Sequence, residues 1–388
     1  MMTNRLANGF LVCAFLLTGV AARADEQILL AQAIVPTPPL AIPRMAREGL
    51  NPAQLGLLDD AFKFDAGDSS AEEKAENWRQ LGRDVPAAAA FATKRSLEWE
   101  SYTVRRKDAL SAQRAKQPAA APSKPAPSVP VQVTAGKAGI EWVRIPGGDF
   151  QMGTNDADVA WPKPVHKVSV KTFEMAKTLV TFKQYKACVA GGACTPAHTS
   201  DGTCFVYAGK AWVKGNLPAS AQGDNQPVVC LEIGQARDFA KWAGGRLPSE
   251  SEWEYAARSG GKAQRYPWGD DAATCDKAVM DEGGDGCGRK TTWPVCSKTS
   301  GNTAHGLCDM AGNVWQWVED SFHRSYAGAP TDGSAWVSGT DIQGENDVTK
   351  RGGSWRTDGG FLRASYRLAC DPNHRHDYNG FRLARSIP

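Results

Sequence analysis

The cysteines of this chain are confined to one part of it. Nine of the ten lie between Cys188 and Cys370, and none occurs between Cys13 and Cys188. In an oxidising compartment, such a cluster is typical of disulfides within one domain with a loop-rich fold. Spacing alone does not fix the connectivity, and our interpretation is nearest-neighbour pairing. It joins Cys188 to Cys194, Cys204 to Cys230, Cys275 to Cys287 and Cys296 to Cys308, and it leaves Cys370 over.

Two alternatives to this pairing stay open. One is a zinc site, although the sequence has no CxxC pair of the kind that binds zinc. The other concerns Cys370, because an odd cysteine in an exported protein is either a free reactive thiol or a link to another chain. Disulfide mapping distinguishes these possibilities.

Residues 1–24 have the three parts of a secretory signal peptide. Arg5 lies in a short basic start, an apolar run extends from Phe10 to Val20, and Ala22-Arg23-Ala24 resembles a cleavage site. The apolar run is too short to span a bilayer comfortably. We therefore expect a periplasmic or secreted protein with no membrane span after cleavage. An uncleaved anchor is the alternative.

The charge balance excludes one class of partner. Lysine plus arginine number 45 against 42 acidic residues, and no block of like charge occurs. A nucleic-acid-binding surface normally leaves a basic patch or stripe in the sequence. We therefore expect no nucleic-acid partner.

Residues 25–116 are predicted to form a helical N-terminal region. Asn51-Pro52 is typical of an N-cap followed by proline at the first helical position. A capping box near Ser70 indicates a second helix, and a long helix is predicted from Ala87 to about Arg114. A hydrophobic seam would join these helices. It contains Trp78, Phe91, Leu97 and Trp99.

Residues 117–137 are predicted to be a linker, because they are dominated by proline, alanine and serine. Residues 138–388 have short apolar runs broken by turn residues, which predicts an irregular α+β domain with one clear helix from Ile233 to Trp242. A second helix is expected to open at Pro248. Within it, Trp253 and Tyr255 would face different sides, only one of them inward.

Six strings in this domain occur in the order and spacing of a known family. They resemble the sulfatase-modifying factors, which include formylglycine-generating enzymes and have a C-type-lectin-like fold. The resemblance covers about residues 138 to 388 and implies that fold here. The strings are Ile145–Gly153, Gly245–Arg258, Tyr266–Gly269, Asp309–Trp317, Arg351–Trp355 and Asn379–Arg382.

The enzymes of this family resemble one another in two cysteines just after the Gly-Gly-Ser string. Those thiolates hold copper(I), an ion that soft sulfur ligands select. Here Thr357 stands at the first position, the second cysteine is also missing, and Cys370 matches neither. We therefore expect no copper and no formylglycine-generating oxidase chemistry.

Iron bound by histidines, as in the sulfoxide synthases that this domain also resembles, is disfavoured as well. Those proteins use an HxxxHxE motif in a helical partner domain, and the N-terminal region here has no histidine. His374 and His376 are spaced to share one face of a strand. Their surroundings look like a solvated loop, so we do not expect a metal there.

Calcium is the metal that the resemblance implies, at two structural sites with oxygen ligands. The first would use the carboxylates of Asp276 and Asp285 and the carbonyls of Lys277 and Cys287. Gln316 replaces a frequent glutamate in the second, which should weaken it. That second set contains Asp309, Gly312, Val314 and Gln316.

The resemblance also implies a substrate cleft, whose aromatic and arginine side chains suit an extended peptide or an anionic group. We predict that the protein binds a peptide or protein partner, as an accessory or regulatory factor of an envelope or secretion process. Replacing Arg367 or Trp315 would then abolish binding and leave the fold intact. The alternative is a periplasmic oxidative tailoring enzyme, as in relatives that mature peptide siderophores, with an unidentified redox site. The cleft residues are Trp315, Ser354, Trp355, Arg363 and Arg367.

Overall fold

The computed structural model describes most of the C-terminal domain and part of the N-terminal region. The described residues are 50–51, 54–55, 58, 74, 78, 81, 85–116, 132–156, 162–208, 212–282, 284–337 and 347–387. The predicted signal peptide and most of the predicted linker lie outside them. The chain divides into two compact units, Met1–Lys124 and Pro125–Pro388, which we describe separately.

The N-terminal unit is helical where it is described. Asn51 caps a helix: its Oδ1 accepts from the Gln54 amide at 2.9 Å, and the Gln54 Oε1 accepts from the Asn51 amide at 3.1 Å. A 3-10 turn, Pro86–Ala88, leads into helix α1, Ala89–Lys116. Trp78 and Trp99 are buried as predicted and Phe91 packs against them, but Leu97 is 55% exposed and does not belong to the seam.

The C-terminal unit contains two four-stranded sheets. The first has the order β1-β2-β5-β12 and the second the order β10-β9-β8-β11. Pairing is antiparallel except between β8 and β11. β1 begins inside the range predicted as linker. The strands of the first sheet are β1 Val133–Ala135, β2 Glu141–Ile145, β5 Phe173–Ala176 and β12 Ala384–Ser386; those of the second are β8 Trp315–Ser321, β9 Val348–Arg351, β10 Arg367–Cys370 and β11 Asn379–Phe381.

Two hairpins and three helices complete the described part of this unit. The hairpins are β3 Gly148–Met152 with β4 His166–Val170, and β6 Cys204–Tyr207 with β7 Trp212–Gly215. The helices are α2 Phe182–Ala190, α3 Ile233–Trp242 and α4 Glu250–Ala257. Helix α3 has the predicted bounds. Strands and loops thus outweigh helices, as expected for an irregular α+β fold.

Helix α4 differs from its prediction in two ways. Ser249, not Pro248, is its N-cap, and its side chain accepts from the Glu252 amide in a capping box. Trp253 and Tyr255 are both buried, because α4 lies in the interior and has no solvent-facing side. A helix enclosed on all sides must bury its acidic residues as well.

The buried acids Glu250 and Glu254 of α4 are paired with arginines, two of them on the second sheet and one, Arg258, at the end of α4 itself. Glu254 is fully buried, and its two oxygens accept from Arg258 at 2.9 Å and from Arg351 at 2.5 Å. Glu250 receives a bidentate pair from Arg367, at 2.7 and 2.6 Å. We call these five residues the ionic interior. Such pairs are strongly destabilising when one partner is removed.

Four disulfides join loops of this unit, and the nearest-neighbour pairing is confirmed. They are Cys188–Cys194, Cys204–Cys230, Cys275–Cys287 and Cys296–Cys308. Cys370 is free and buried on β10. Among the described residues, no helix has both the length and the apolar character needed to span a membrane.

Candidate binding site

The loop after the Gly-Gly-Ser string has no thiol at all. Gly352 and Gly353 take positive φ angles of 95° and 72°, which favour glycine, and they turn the chain sharply out of β9. Thr357 closes the turn: its Oγ1 accepts from the Ser354 amide at 2.8 Å and donates to the Ser354 carbonyl at 3.1 Å. A threonine hydroxyl used in this way provides no soft ligand for copper(I).

Arg356, whose side chain is largely buried, holds the β6–β7 hairpin. Its guanidinium lies 3.2 Å from the centre of the Tyr207 ring and 5.1 Å from that of Trp212. Its Nη1 also donates to Asp285 Oδ2 at 3.1 Å. Cation–π stacking and an ion pair together fix the hairpin against the loop. Arg356 is therefore a positioning residue.

The hairpin, the loop and the second sheet bring together a continuous set of rings, which we call the aromatic wall. From one end, Phe205 stacks on His376 at 5.1 Å and His376 on Tyr378 at 4.6 Å. Beyond Lys350, Trp315 contacts Tyr366 at 6.1 Å, and Tyr366 contacts Phe361 at 4.9 Å. Most of these rings are half-exposed. The wall comprises Phe205, Trp212, Trp315, Phe361, Tyr366, His376 and Tyr378.

Three of the predicted cleft residues lie at or behind this wall. Trp315 is part of it but is only 2% exposed, so its replacement would remove a buried side chain, contrary to the expectation that the fold would stay intact. Trp355 is buried and donates from Nε1 to the Asp377 carbonyl at 3.2 Å, and Ser354 is buried beside it. Arg363 is half-buried and forms an ion pair with Asp156 at 3.5 Å.

Arg367 lies elsewhere. It is 1% exposed, and its guanidinium is bonded to Glu250 and to the His323 carbonyl. Its remaining faces cover the rings of Phe322 and Tyr326 at 4.8 and 4.4 Å. The structure therefore places Arg367 in the ionic interior, so the expectation that its removal would spare the fold is wrong.

His376 is more enclosed than expected, whereas His374 is exposed. His376 packs between Phe205 and Tyr378, and burial together with nearby Lys350 holds its pKa well below the usual range. Burial raises the pKa of Asp377 to about 7, although its Oδ2 accepts from the Tyr207 amide. In the described part of the chain, no group of three or more metal-ligating side chains includes these residues.

Tyr207, Trp212, Lys350 and Tyr378 were missed from sequence. The signal was present in part, because aromatic residues recur at Phe205, Tyr207 and Trp212 around a Gly-Lys pair typical of a hairpin turn. The position of that hairpin against the loop depends on long-range contacts of Arg356. Local pattern carries no information about such contacts.

The residues of the first predicted calcium set lie on two segments that one disulfide joins. The Cys275–Cys287 disulfide brings Asp276 and Lys277 next to the loop that carries Asp285 and Cys287. Positive φ angles at Gly284, Gly286 and Cys287 curl that loop tightly. Asp285 also pairs with Arg356, so its carboxylate would be shared between a cation and the positioning residue.

The second set does not fit calcium. The Gln316 Oε1 already accepts from Trp253 Nε1 at 2.9 Å and from Arg382 Nε at 2.6 Å. Its Nε2 donates to the Asp309 carbonyl at 2.8 Å, and burial raises the pKa of the Asp309 carboxyl. An amide with both ends bonded beside a buried guanidinium leaves no oxygen open to a divalent ion. Gly312 and Val314 thus border a hydrogen-bonded cluster.

A separate hollow of about 370 Å³ lies beside the β3–β4 hairpin. Its charged groups are already paired: Asp149 with Lys167 at 2.7 Å and Arg258 with Glu254 at 2.9 Å. Nothing in it matches the half-exposed rings of the wall. The wall is the better candidate for a binding site.

Small sheets, long disulfide-linked loops and a loop-built site define a C-type-lectin-like domain. Residues 130–387 match the family described as sulfatase-modifying factor enzyme 1-like domains, and the chain belongs to that family. The resemblance and the fold inferred from six motifs are confirmed.

The similar proteins include oxidising enzymes. The chain is 34% identical to the formylglycine-generating enzyme of Streptomyces coelicolor over 56% of this chain and 79% of that relative. It is 28% identical to the hercynine oxygenase of Mycolicibacterium smegmatis over 66% of this chain and 64% of that relative. The solved structure of PvdO from Pseudomonas aeruginosa is 32% identical, with a TM-score of 0.54, 68% of this chain covered and 100% of that chain.

Proposed function

We propose that this protein is an exported binding factor that uses the aromatic wall to hold an extended peptide or protein segment. It would serve as an accessory or regulatory component of an envelope or secretion process, in the periplasm or outside the cell. The observation that carries this proposal is the wall itself, a row of rings on either side of Lys350 of which all but the buried Trp315 are partly exposed. Aromatic rings supply large contact area at low entropic cost.

The Gly-Gly-Ser loop supports binding without copper chemistry. It keeps the backbone turn of the enzymes it resembles, but Thr357 is bonded to Ser354 where the first thiolate would be. The one free cysteine in the described residues is Cys370, which is buried on β10. A single buried thiol cannot form a two-sulfur copper(I) site.

Four intramolecular disulfides support an oxidising compartment, and with it export. The predicted signal peptide, residues 1–24, leads to the same proposal. N-terminal sequencing of the protein from a periplasmic extract tests it, with Asp25 as the expected first residue. A chain that keeps residues 1–24 in the cytosol would contradict it.

The binding function is tested by selection from a displayed library of random peptides with the mature chain. We expect enrichment of a shared motif by the wild type and its loss in Trp212→Ala, because Trp212 is half-exposed at the wall. Val213→Ala is the matched control, since Val213 lies next to it in β7 and is exposed. No enrichment by the wild type would contradict the proposal.

The second candidate is an oxidative tailoring enzyme, and one observation favours it: the relatives named above generate formylglycine or oxygenate hercynine. Oxidation needs a redox group, so metal content and oxygen uptake separate the two candidates. We expect no stoichiometric copper or iron after purification without chelators. Stoichiometric metal together with oxygen uptake would put the tailoring enzyme first.

Calcium at the first set is a further part of the proposal. Asp276 and Asp285 would supply carboxylates, and Lys277 and Cys287 would supply carbonyls, which is the ligand type that this hard cation prefers. Bound calcium would stiffen the loop that carries Asp285 and so support Arg356 under the wall. It would have no part in chemistry.

A further inference from the structure

Lys350 is a buried cation at the middle of the aromatic wall. It lies on β9 and is 3% exposed. Its Nζ is 5.4 Å from the centre of the Trp315 ring and 5.0 Å from that of Tyr378. Its hydrogen bonds go to neutral groups, Asn379 Oδ1 at 3.3 Å and the Cys370 thiol. An ammonium has three donors, so at least one lacks a partner among the described residues.

No anion balances this charge in the described parts of the chain. The arginines beside it in β9 and β10 are paired with carboxylates, whereas Lys350 forms no ion pair there. The nearby Cys370 thiol does not supply one, because burial raises its pKa and keeps it neutral. Burying an unpaired charge is costly, and two cation–π contacts compensate only in part.

We propose that Lys350 is the anchor for an acidic side chain of the bound peptide. A ligand carboxylate would form the ion pair that the chain itself lacks, with rings above and below it. This inference rests on the proposed peptide-binding function and names the class of residue that the site selects. Because Lys350 is nearly buried, one of the covering rings must move for the carboxylate to reach Nζ.

The continuation of the wall on both sides of Lys350 indicates an internal aspartate or glutamate, not a C-terminal carboxylate. Phe205, His376 and Tyr378 extend in one direction. Trp315, Tyr366 and Phe361 extend in the other. A peptide that ended at Lys350 would use only half of these rings. We therefore expect apolar or aromatic residues on both sides of the acidic one.

The test repeats the random-peptide selection with the mature chain and three variants. Lys350→Met removes the charge at similar length, and Lys350→Gln keeps a donor for Asn379. Lys214→Met is the control, because Lys214 is exposed and lies 5.5 Å from the Phe205 ring at one end of the wall. Affinities of a selected acidic peptide and of its glutamine analogue are then measured for each protein.

We expect the wild type and Lys214→Met to enrich an internal acidic residue and to bind the acidic peptide roughly tenfold to a hundredfold better than its glutamine analogue. Lys350→Met and Lys350→Gln should lose this discrimination and still bind through the rings. Enrichment of peptides without an acidic residue would overturn the anchor and leave the binding function standing. No enrichment at all would overturn both, and acidic selection that persists in both Lys350 variants would also overturn the anchor.

The melting temperatures of the Lys350 variants give a second readout. Removal of an unpaired buried charge should leave the free protein as stable as before or more stable, because no partner is left behind. If both variants melt well below the wild type, Lys350 is a structural cation and the proposal fails.

Discussion

The ionic interior and the aromatic wall meet at strand β9, and they differ in how their buried charges are paired. In the interior, Glu254 and Arg351 are both fully buried, and every charged group faces an opposite one. At the wall, Lys350 is almost as buried but has no carboxylate partner among the described residues. Adjacent residues of β9 therefore differ, because Arg351 belongs to a network of paired charges and Lys350 has no ion pair among the described residues.

Other buried polar atoms near Lys350 also lack a hydrogen-bond partner in the described part of the chain. Arg356 Nε, His376 Nδ1 and Asp377 Oδ1 are buried atoms without a hydrogen-bond partner in the described structure, whereas Arg351 Nε is the one such atom in the ionic interior. Buried polar groups are normally bonded, so unpartnered ones call for an explanation such as water or a ligand. We infer from this difference that the ionic interior supports the fold, whereas the aromatic wall binds a ligand.

The largest expected effect is in the ionic interior. Arg351→Met should lower the free energy of unfolding by about 3–5 kcal/mol, because it leaves Glu254 buried beside only one arginine. Denaturant unfolding measures this change. Arg237→Gln is the control: its ion pair with Glu319 is exposed and should contribute at most about 1 kcal/mol. Equal losses of unfolding free energy in the two variants would contradict the claim that the buried ion pairs stabilise the fold more than the exposed one does.

Chelation tests whether a cation connects the scaffold to the wall. If calcium occupies the first set at about a hundred times its dissociation constant, its removal should cost about 2.7 kcal/mol. Melting with calcium or with a chelator measures the loss, and Asp276→Asn should reduce it while Gln316→Glu does not. An unchanged melting curve after chelation would exclude a stabilising calcium.

The pH dependence of stability tests Asp377. Burial raises its pKa from 3.8 to about 7, so the folded state holds a proton that the unfolded state releases. The stability contributed by the protonated carboxyl is present below about pH 4 and is lost as the pH rises through 7. Compared with Asp377→Asn, the wild type should therefore lose about 4 kcal/mol between pH 4 and pH 8. Parallel stability profiles for the two proteins would contradict this burial effect.

The smallest expected effect on stability is at the wall. Trp212→Ala should lower the free energy of unfolding by about 1 kcal/mol, because the ring is only half-buried and its loss leaves a surface notch. Binding of a selected peptide should fall far more than stability does. A loss of stability as large as that of Arg351→Met would show that the hairpin is scaffold.

The sequence predicts the parts of this molecule that depend on local pattern or on motif. The bounds of α3 and the Asn51 cap follow from spacing and capping chemistry, and nearest-neighbour pairing of the cysteines, which spacing alone does not fix, is the pairing found. Burial of the whole of α4 could not be predicted, because acidic residues at Glu250 and Glu254 read as an exposed face until their arginine partners on distant strands are known. Arg367 was misplaced for the same reason. The position of a residue in a motif predicts where its backbone lies, but it does not predict which group its side chain contacts.

The aromatic wall could also be predicted from the sequence only in part. Trp315, Ser354 and Trp355 lie at or behind it, but its outer rings come from the β6–β7 hairpin and the segment before β11. Nothing local in Trp212 or Tyr378 predicts that their rings meet, at 4.7 Å between centroids. Their contact depends on Arg356 and Asp377, each paired across a long stretch of chain.

The most direct test of the account is hydrogen–deuterium exchange of the mature chain with and without a peptide selected from the library. If the aromatic wall is the binding site, the peptide should slow exchange in residues 204–215, 355–366 and 371–381 and leave the β3–β4 hairpin unchanged. Protection confined to the hollow lined by Asp149 and Arg258, with no change at the wall, would contradict it.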